Sequence, residues 1–222
     1  MPRLLALSVH EFRTPISVAA GYVRMLLGDR AGAVTEQQRR MLLETEKSCA
    51  RLSALVAEMS DLANLEAGTA TVNRKPLDLR PLLAEAIAAL PEMTDREMDV
   101  ELATGEGPAI IEGDATRLKT TLTSIFYALR RELVTSTRLL VRERADNYLG
   151  RPASWIAIGD GDHIEALQAS APETLAVFDE WRGGCGLSLA VGRRVLDSHG
   201  GSVWSPADGS KAGAVVVLPH QG

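Results

Sequence analysis

The chain has 222 residues, enough for one large domain or two small ones, and at 45% hydrophobic content it can bury real cores. Its net charge is −5 with both signs spread along the chain, which argues against nucleic acid as a main ligand. No apolar run is long enough to cross a bilayer and no signal peptide leads it, and Cys49 and Cys185 stand far apart in no metal spacing, so a reducing cytosol with free thiols is expected.

The first element is a helix. Apolar residues at Leu5, Val9, Phe12, Ile16, Ala19, Val23 and Leu26 alternate steps of three and four, the stripe of an amphipathic helix. His10 projects from roughly the opposite side, with Glu11 beside it and Thr14 one turn on. An exposed imidazole next to a carboxylate suits a nucleophile whose proton a neighbouring base can handle. Pro15 removes an amide donor and is expected to bend the helix below His10, leaving the Glu11 carbonyl without its helical partner. Gly28–Ala33 ends the helix. Thr35 opens a second, with Gln38 completing a capping box. It runs through Leu42, Leu52, Leu55, Met59, Leu62 and Leu65 and stops near Gly68. A helical hairpin with such stripes cannot bury its seam alone, and two copies would form a four-helix bundle.

From about Thr69 the texture changes. A strand-like Thr71–Leu77 leads into a helix over Leu79–Leu90, a strand Met98–Ala103, and Ala109–Asp114. A helix from Ala115 to about Leu133 follows, then strands Arg138–Arg144 and Ser154–Ile158, and near the end Ser202–Trp204 and Ala214–Pro219. Strands and helices mix without regular βαβ alternation, which predicts an α/β sandwich and not a doubly wound sheet.

His10-Glu11-Phe12-Arg13-Thr14-Pro15-Ile16 resembles the phospho-acceptor box of the sensor histidine kinases of two-component systems, H-E-L-R-T-P-L, with two apolar exchanges. The resemblance implies that His10 carries the phosphoryl group, that Glu11 is the acid/base, and that Thr14 helps to position water for dephosphorylation. It also implies a homodimer and a response-regulator receiver domain as partner. Ser17, Val18, Gly21 and Met25 continue the face of His10, and a receiver helix could dock there. No sensor segment precedes His10, which fits either a cytosolic, sensor-less member or the cytoplasmic core of a longer protein.

The second half resembles the ATP-binding domain of the same kinases. Gly113-Asp114-Ala115-Thr116-Arg117-Leu118 matches the family's G-D-x-x-R-L. Gly183–Ala190 is similar to the second glycine box, G-x-G-L-G-L-A, and Arg194 with His199-Gly200-Gly201 to R-x-x-x-x-H-G-G. Glycines at a helix start let backbone amides approach phosphate. The resemblance thus assigns nucleotide contacts to Asp160, Gly161, Gly184 and Gly186. It also exposes departures. The N box reads Ser124–Leu129, with Ala128 at the usual magnesium ligand and no oxygen donor there for a hard cation. Arg130 and Arg131 could still meet a phosphate. Asp160 stands one residue after the usual adenine-binding aspartate, in Gly159–Ile164. Val177–Trp181 resembles the F box, yet Arg182 and the glycine box follow it with no lid between, and Ser188 replaces a glycine. Trp155, Trp181 and Trp204 are expected to pack, and His199 to be structural.

The expected architecture is α+β, a helical hairpin forming a dimeric four-helix bundle over residues 1–67, then an α/β sandwich of the histidine-kinase ATPase type over 68–222. Three functions stay open: an autokinase using Mg-ATP; a degenerate kinase exchanging phosphate between His10 and a receiver aspartate, with no certain cofactor and no metal site; and a non-enzymatic dimerisation module regulating another kinase. The second is preferred.

Overall fold

The structure, a computed structural model, describes residues 2–93, 96–207 and 213–221; the side chains of residues 2–7, Leu5 among them, lie outside that description. The chain divides into two compact units, Met1–Ala70 and Thr71–Gly222.

The first unit is a hairpin of α1 (Pro2–Leu27) and α2 (Glu36–Glu66). Thr35 caps α2 by a reciprocal box with Gln38, and Gly68 at φ 68° closes its C-terminus, its N–H donating to the Leu65 carbonyl at 3.1 Å. Arg39 fixes the turn by donating to the Leu27 carbonyl at 2.9 Å and pairing with Asp29 at 3.1 Å. The helix α1 runs unbroken through Pro15. Its buried positions differ from the expected stripe. Val9 and Val23 are buried and Ile16 is half-buried, against Cys49, Val56 and Ala63 of α2, a seven-residue spacing on both helices. Phe12 is 52% exposed, Leu52 48%, and Ala19 is exposed too. One partner helix covers one seam, so the rest of a broad apolar stripe stays outside within a single chain.

The second unit is built on a six-stranded sheet. Its strands are β2 (Asp99–Ala103), β4 (Arg138–Tyr148), β5 (Arg151–Gly159), β6 (Leu175–Val177), β7 (Ser202–Pro206) and β8 (Gly213–Pro219), in the order β2-β4-β5-β8-β7-β6. Among the described residues of this sheet only the β2–β4 pair is parallel. A separate ribbon pairs β1 (Lys75–Asp78) with β3 (Ile110–Gly113). Helices α3 (Leu79–Ala88), α4 (Ala115–Glu132) and α6 (Ser188–Ser198) bury Leu79, Leu83, Leu122, Ile125, Phe126 and Leu129 fully. The short α5 (Ile164–Ala169) packs on β5 and β8, where Trp155 and Trp204 stack at 5.9 Å with Tyr148 edge-on to both. Trp181, expected to pack, is 78% exposed. β4 and β5 are longer than expected because Leu149 and Gly150, both at positive φ, form a two-residue hairpin turn that the polar Asp146-Asn147 stretch disguises.

Two polar constellations hold this unit. Asp114 caps α4, accepting from Arg117 and Asn73 amides, while its own amide donates to His199 Nε2 at 3.0 Å. A Cβ at Gly113 would meet Leu118 Cδ1 at 2.5 Å, so a side chain there would have to displace that buried leucine. His199 Nδ1 donates to the Val195 carbonyl at 2.7 Å, so the ring is neutral, and burial keeps its pKa below 6.5. The unfolded imidazole protonates first as pH falls, so this contribution to stability is present above about 6.5 and is lost as pH drops toward the lower folded value. Melting curves recorded across that window should fall for the parent and flatten in His199→Gln. Second, Glu143, with a fully buried side chain, accepts from Arg80 Nε at 2.9 Å, the Gly105 amide at 3.0 Å and Ser154 Oγ at 2.7 Å. Burial alone would raise its pKa, but those donors outweigh burial and hold the carboxyl below its ordinary range.

Candidate functional site

His10 lies on α1 with its side chain 77% exposed, and its Nδ1 stands 3.7 Å from Glu11 Oε1, whose side chain is equally open. That separation is beyond a hydrogen bond. A small rotation of either side chain brings the carboxylate to the ring, so Glu11 can take or hold the Nδ1 proton while Nε2 meets an electrophile. Thr14 is exposed one turn further on. Ser17, Val18, Gly21 and Met25 follow; Val18 is 52% and Met25 43% exposed, and nothing lies within 4 Å of where a Gly21 Cβ would stand. Tyr22, 64% exposed and one turn from Val18, belongs to the same apolar strip. The sequence reading missed it, although its spacing from Val18 was the available signal.

Asp160 and Gly161 line a cleft of about 320 Å³ with Thr135, Ser136, Thr137 and Asp162, and neither Gly184, Gly186 nor Ala128 is part of its lining. Asp160 turns its carboxylate onto its own turn: Oδ1 accepts from the amides of Asp162 and His163 and meets His163 Nδ1 at 2.6 Å. Among the described residues no cluster of His, Cys, Asp and Glu could hold a metal ion.

Gly183, Gly184 and Gly186 all take positive φ in the turn ahead of α6, a conformation that favours glycine. The Gly183 backbone rests directly on α4: a Cβ there would lie 2.6 Å from Ala128 Cα and 2.9 Å from the Ala128 carbonyl. Ala128 is buried beneath it. Arg130, expected to be available to phosphate, is buried with Nη1 donating to the Pro91 carbonyl at 3.2 Å. A 100° step separates neighbouring residues on a helix, and Arg131 is instead exposed, over the Tyr127 ring. Arg182 is buried and pairs with Glu132 at 2.6 Å.

Residues 3–68 match the His Kinase A (phospho-acceptor) domain family. The chain is 26% identical to the sensor protein GacS of Pseudomonas syringae pv. syringae over 97% of its own length, spanning 25% of that protein. It is 29% identical to the probable sensor histidine kinase TcrY of Mycobacterium tuberculosis over 96% of its length, spanning 44% of that protein. The chain carries a two-component histidine kinase core. Solved histidine kinase structures share its fold across both units. Full-length ShkA, crystallised in complex with AMPPNP, superposes with a TM-score of 0.67 at 22% identity, covering all of this core and 47% of ShkA. Acinetobacter baumannii histidine kinase AdeS gives 0.57 at 19%, covering 96% and 98%. The core thus spans only part of its sensor relatives, and among the described residues no helix is long and apolar enough to cross a membrane.

Proposed function

We propose that this kinase core acts as a dimeric phosphotransfer protein: His10 exchanges a phosphoryl group with a response-regulator aspartate, and the ATP-binding-like unit does not take Mg-ATP. The observation that carries the reading is the contrast between an open His10–Glu11 pair and a glycine turn seated on Ala128. Phosphoryl transfer from a nucleotide relies on positioning and on charge neutralisation by a metal. An alanine offers no oxygen to that metal, the Gly183 backbone packs directly on it, and Asp160 Oδ1 is engaged with His163. Phe12, Ala19 and Leu52, uncovered within one hairpin, supply the seam for a second copy.

In the transfer step the imidazole Nε2 lone pair attacks phosphorus of the acyl phosphate as the aspartate oxygen departs as carboxylate. Glu11 holds the Nδ1 proton and so raises the density at Nε2. Reversal returns the phosphoryl group to the aspartate.

A ligand that binds only the folded state raises its melting temperature by mass action. With millimolar Mg-ATP the core should show no rise. A clear rise together with labelling of His10 from the γ-phosphate would establish the active autokinase in its place. The docking face has its own test. Gly21→Glu puts bulk and charge into open space, and glutamate forms helix better than glycine. Transfer from a phosphorylated receiver should fall at least about tenfold, which corresponds to about 1.4 kcal/mol, with dimerisation and melting temperature unchanged. Loss of the dimer instead would assign this face to the bundle core.

A further inference from the structure

The turn that replaces the lid has an internal ligand. Glu132, at the last position of α4, has its side chain 9% exposed and uses both carboxylate oxygens. Oε2 receives Arg182 Nε at 2.6 Å and lies 2.6 Å from Nη2, and Oε1 accepts the Gly183 amide at 3.0 Å. The Arg182 side chain is 2% exposed, and its Nη1 is anchored on the Gly213 carbonyl at 2.9 Å. Gly183 and Gly184 have left-handed φ, and Arg131 sits within 3.8 Å of where a Gly184 Cβ would stand. The turn is pinned on its other side by Glu180, which accepts Arg193 at 2.7 Å and faces Arg194 at 3.6 Å.

A guanidinium, a backbone amide from a left-handed glycine and a second arginine at the rim, just ahead of a helix, are the parts of an oxyanion cradle. Here the anion is a carboxylate from the same chain. We propose, on the reading that this unit does not take Mg-ATP, that the Arg182–Gly183 turn is a phosphate-class anion cradle occupied by Glu132. The unit is therefore closed by an internal latch, beyond lacking a metal ligand at Ala128. A carboxylate tethered on the adjoining helix is present at high effective concentration and excludes a free anion. Removing it should open the cradle.

The probe is sodium tripolyphosphate without metal, with sodium acetate as the matched carboxylate, at equal ionic strength, read by thermal unfolding. The parent should respond to neither beyond the general salt effect. Glu132→Ala removes a buried carboxylate that pairs with Arg182, so it should melt lower, and tripolyphosphate should return about 5 °C or more of the loss. The double variant Glu132→Ala with Arg182→Met should not respond. Rescue by acetate alone would make the site a carboxylate socket and overturn the phosphate assignment, as would an equal response in the parent or in the double variant. If Glu132→Ala does not fold, Glu132→Gln, which keeps the shape and removes the charge, takes its place in the test. Stabilisation of that variant by tripolyphosphate supports the cradle, and indifference overturns it. The Mg-ATP experiment on the parent is read separately: a rise there overturns the nucleotide reading whatever the variants do, and no rise with unresponsive variants removes the latch alone.

Discussion

His10→Gln should abolish acceptance of phosphate from a phosphorylated receiver while leaving the melting curve of the core unchanged. Glutamine keeps length and polarity but has no nitrogen lone pair able to form a phosphoramidate, so the loss should be complete and not graded. Stability should hold because the side chain is 77% exposed and its charged neighbour, Glu11, is 3.7 Å away in solvent. Surface substitutions away from packed features stay within about 0.5 kcal/mol, and an exposed ion pair contributes little. Receiver-to-core transfer of radiolabelled phosphate and circular dichroism melts of the two proteins decide it. Normal transfer by the variant would move the acceptor elsewhere; a melt far below the parent would mean that this helix face is packed.

The largest effect on stability should come from Glu143→Ala. Glu143 and Arg80 lie on β4 and α3, with side chains 0% and 12% exposed. Deleting the carboxylate strands the guanidinium and takes the acceptor from the Gly105 amide, while the Ser154 hydroxyl keeps only its contact with His220 Nε2 at 2.9 Å. Breaking a buried pair from one side costs about 3–5 kcal/mol. In a unit of this size each kcal/mol lowers the melting temperature by roughly 2–4 °C. Replacing both partners together, Glu143→Leu with Arg80→Met, should recover most of that loss, because the cost lies in the orphaned charge and not in the missing pair. Calorimetric melts of the single and double variants measure it. A single variant that melts with the parent would show that water reaches Arg80.

Much of the chain was legible from local chemistry. Thr35 with Gln38, Gly68 after Leu65, and Asp114 before Ala115 each act on backbone groups within a few residues, so sequence spacing is enough to place the helix ends they set. The seven-residue acceptor box and the G-D-x-x-R-L and H-G-G motifs are equally local, and they identify the family. The intermixed order of strands and helices excludes a doubly wound sheet without reference to tertiary contacts.

Other features depended on residues far apart in the chain. Glu143 meets Arg80 across 63 positions and Arg182 meets Glu132 across 50, distances over which no spacing rule operates. The apolar stripe of α1 announced that Phe12 and Ala19 are buried somewhere, but not that one hairpin covers only Val9, Ile16 and Val23. The family pattern puts Asp160 one residue after its adenine-binding position, and only the structure shows that Asp160 Oδ1 meets His163 Nδ1 at 2.6 Å. By itself the sequence determined the helix ends, the exposed histidine and its family, because each follows from backbone hydrogen bonding or from one helix face. Only the tertiary structure decided that Gly183 rests on Ala128, that Arg130 is buried while Arg131 is exposed, and that Glu132 fills the glycine turn. Those outcomes follow from how α4, the turn and β8 pack, and packing between distant segments is not encoded in any single one of them.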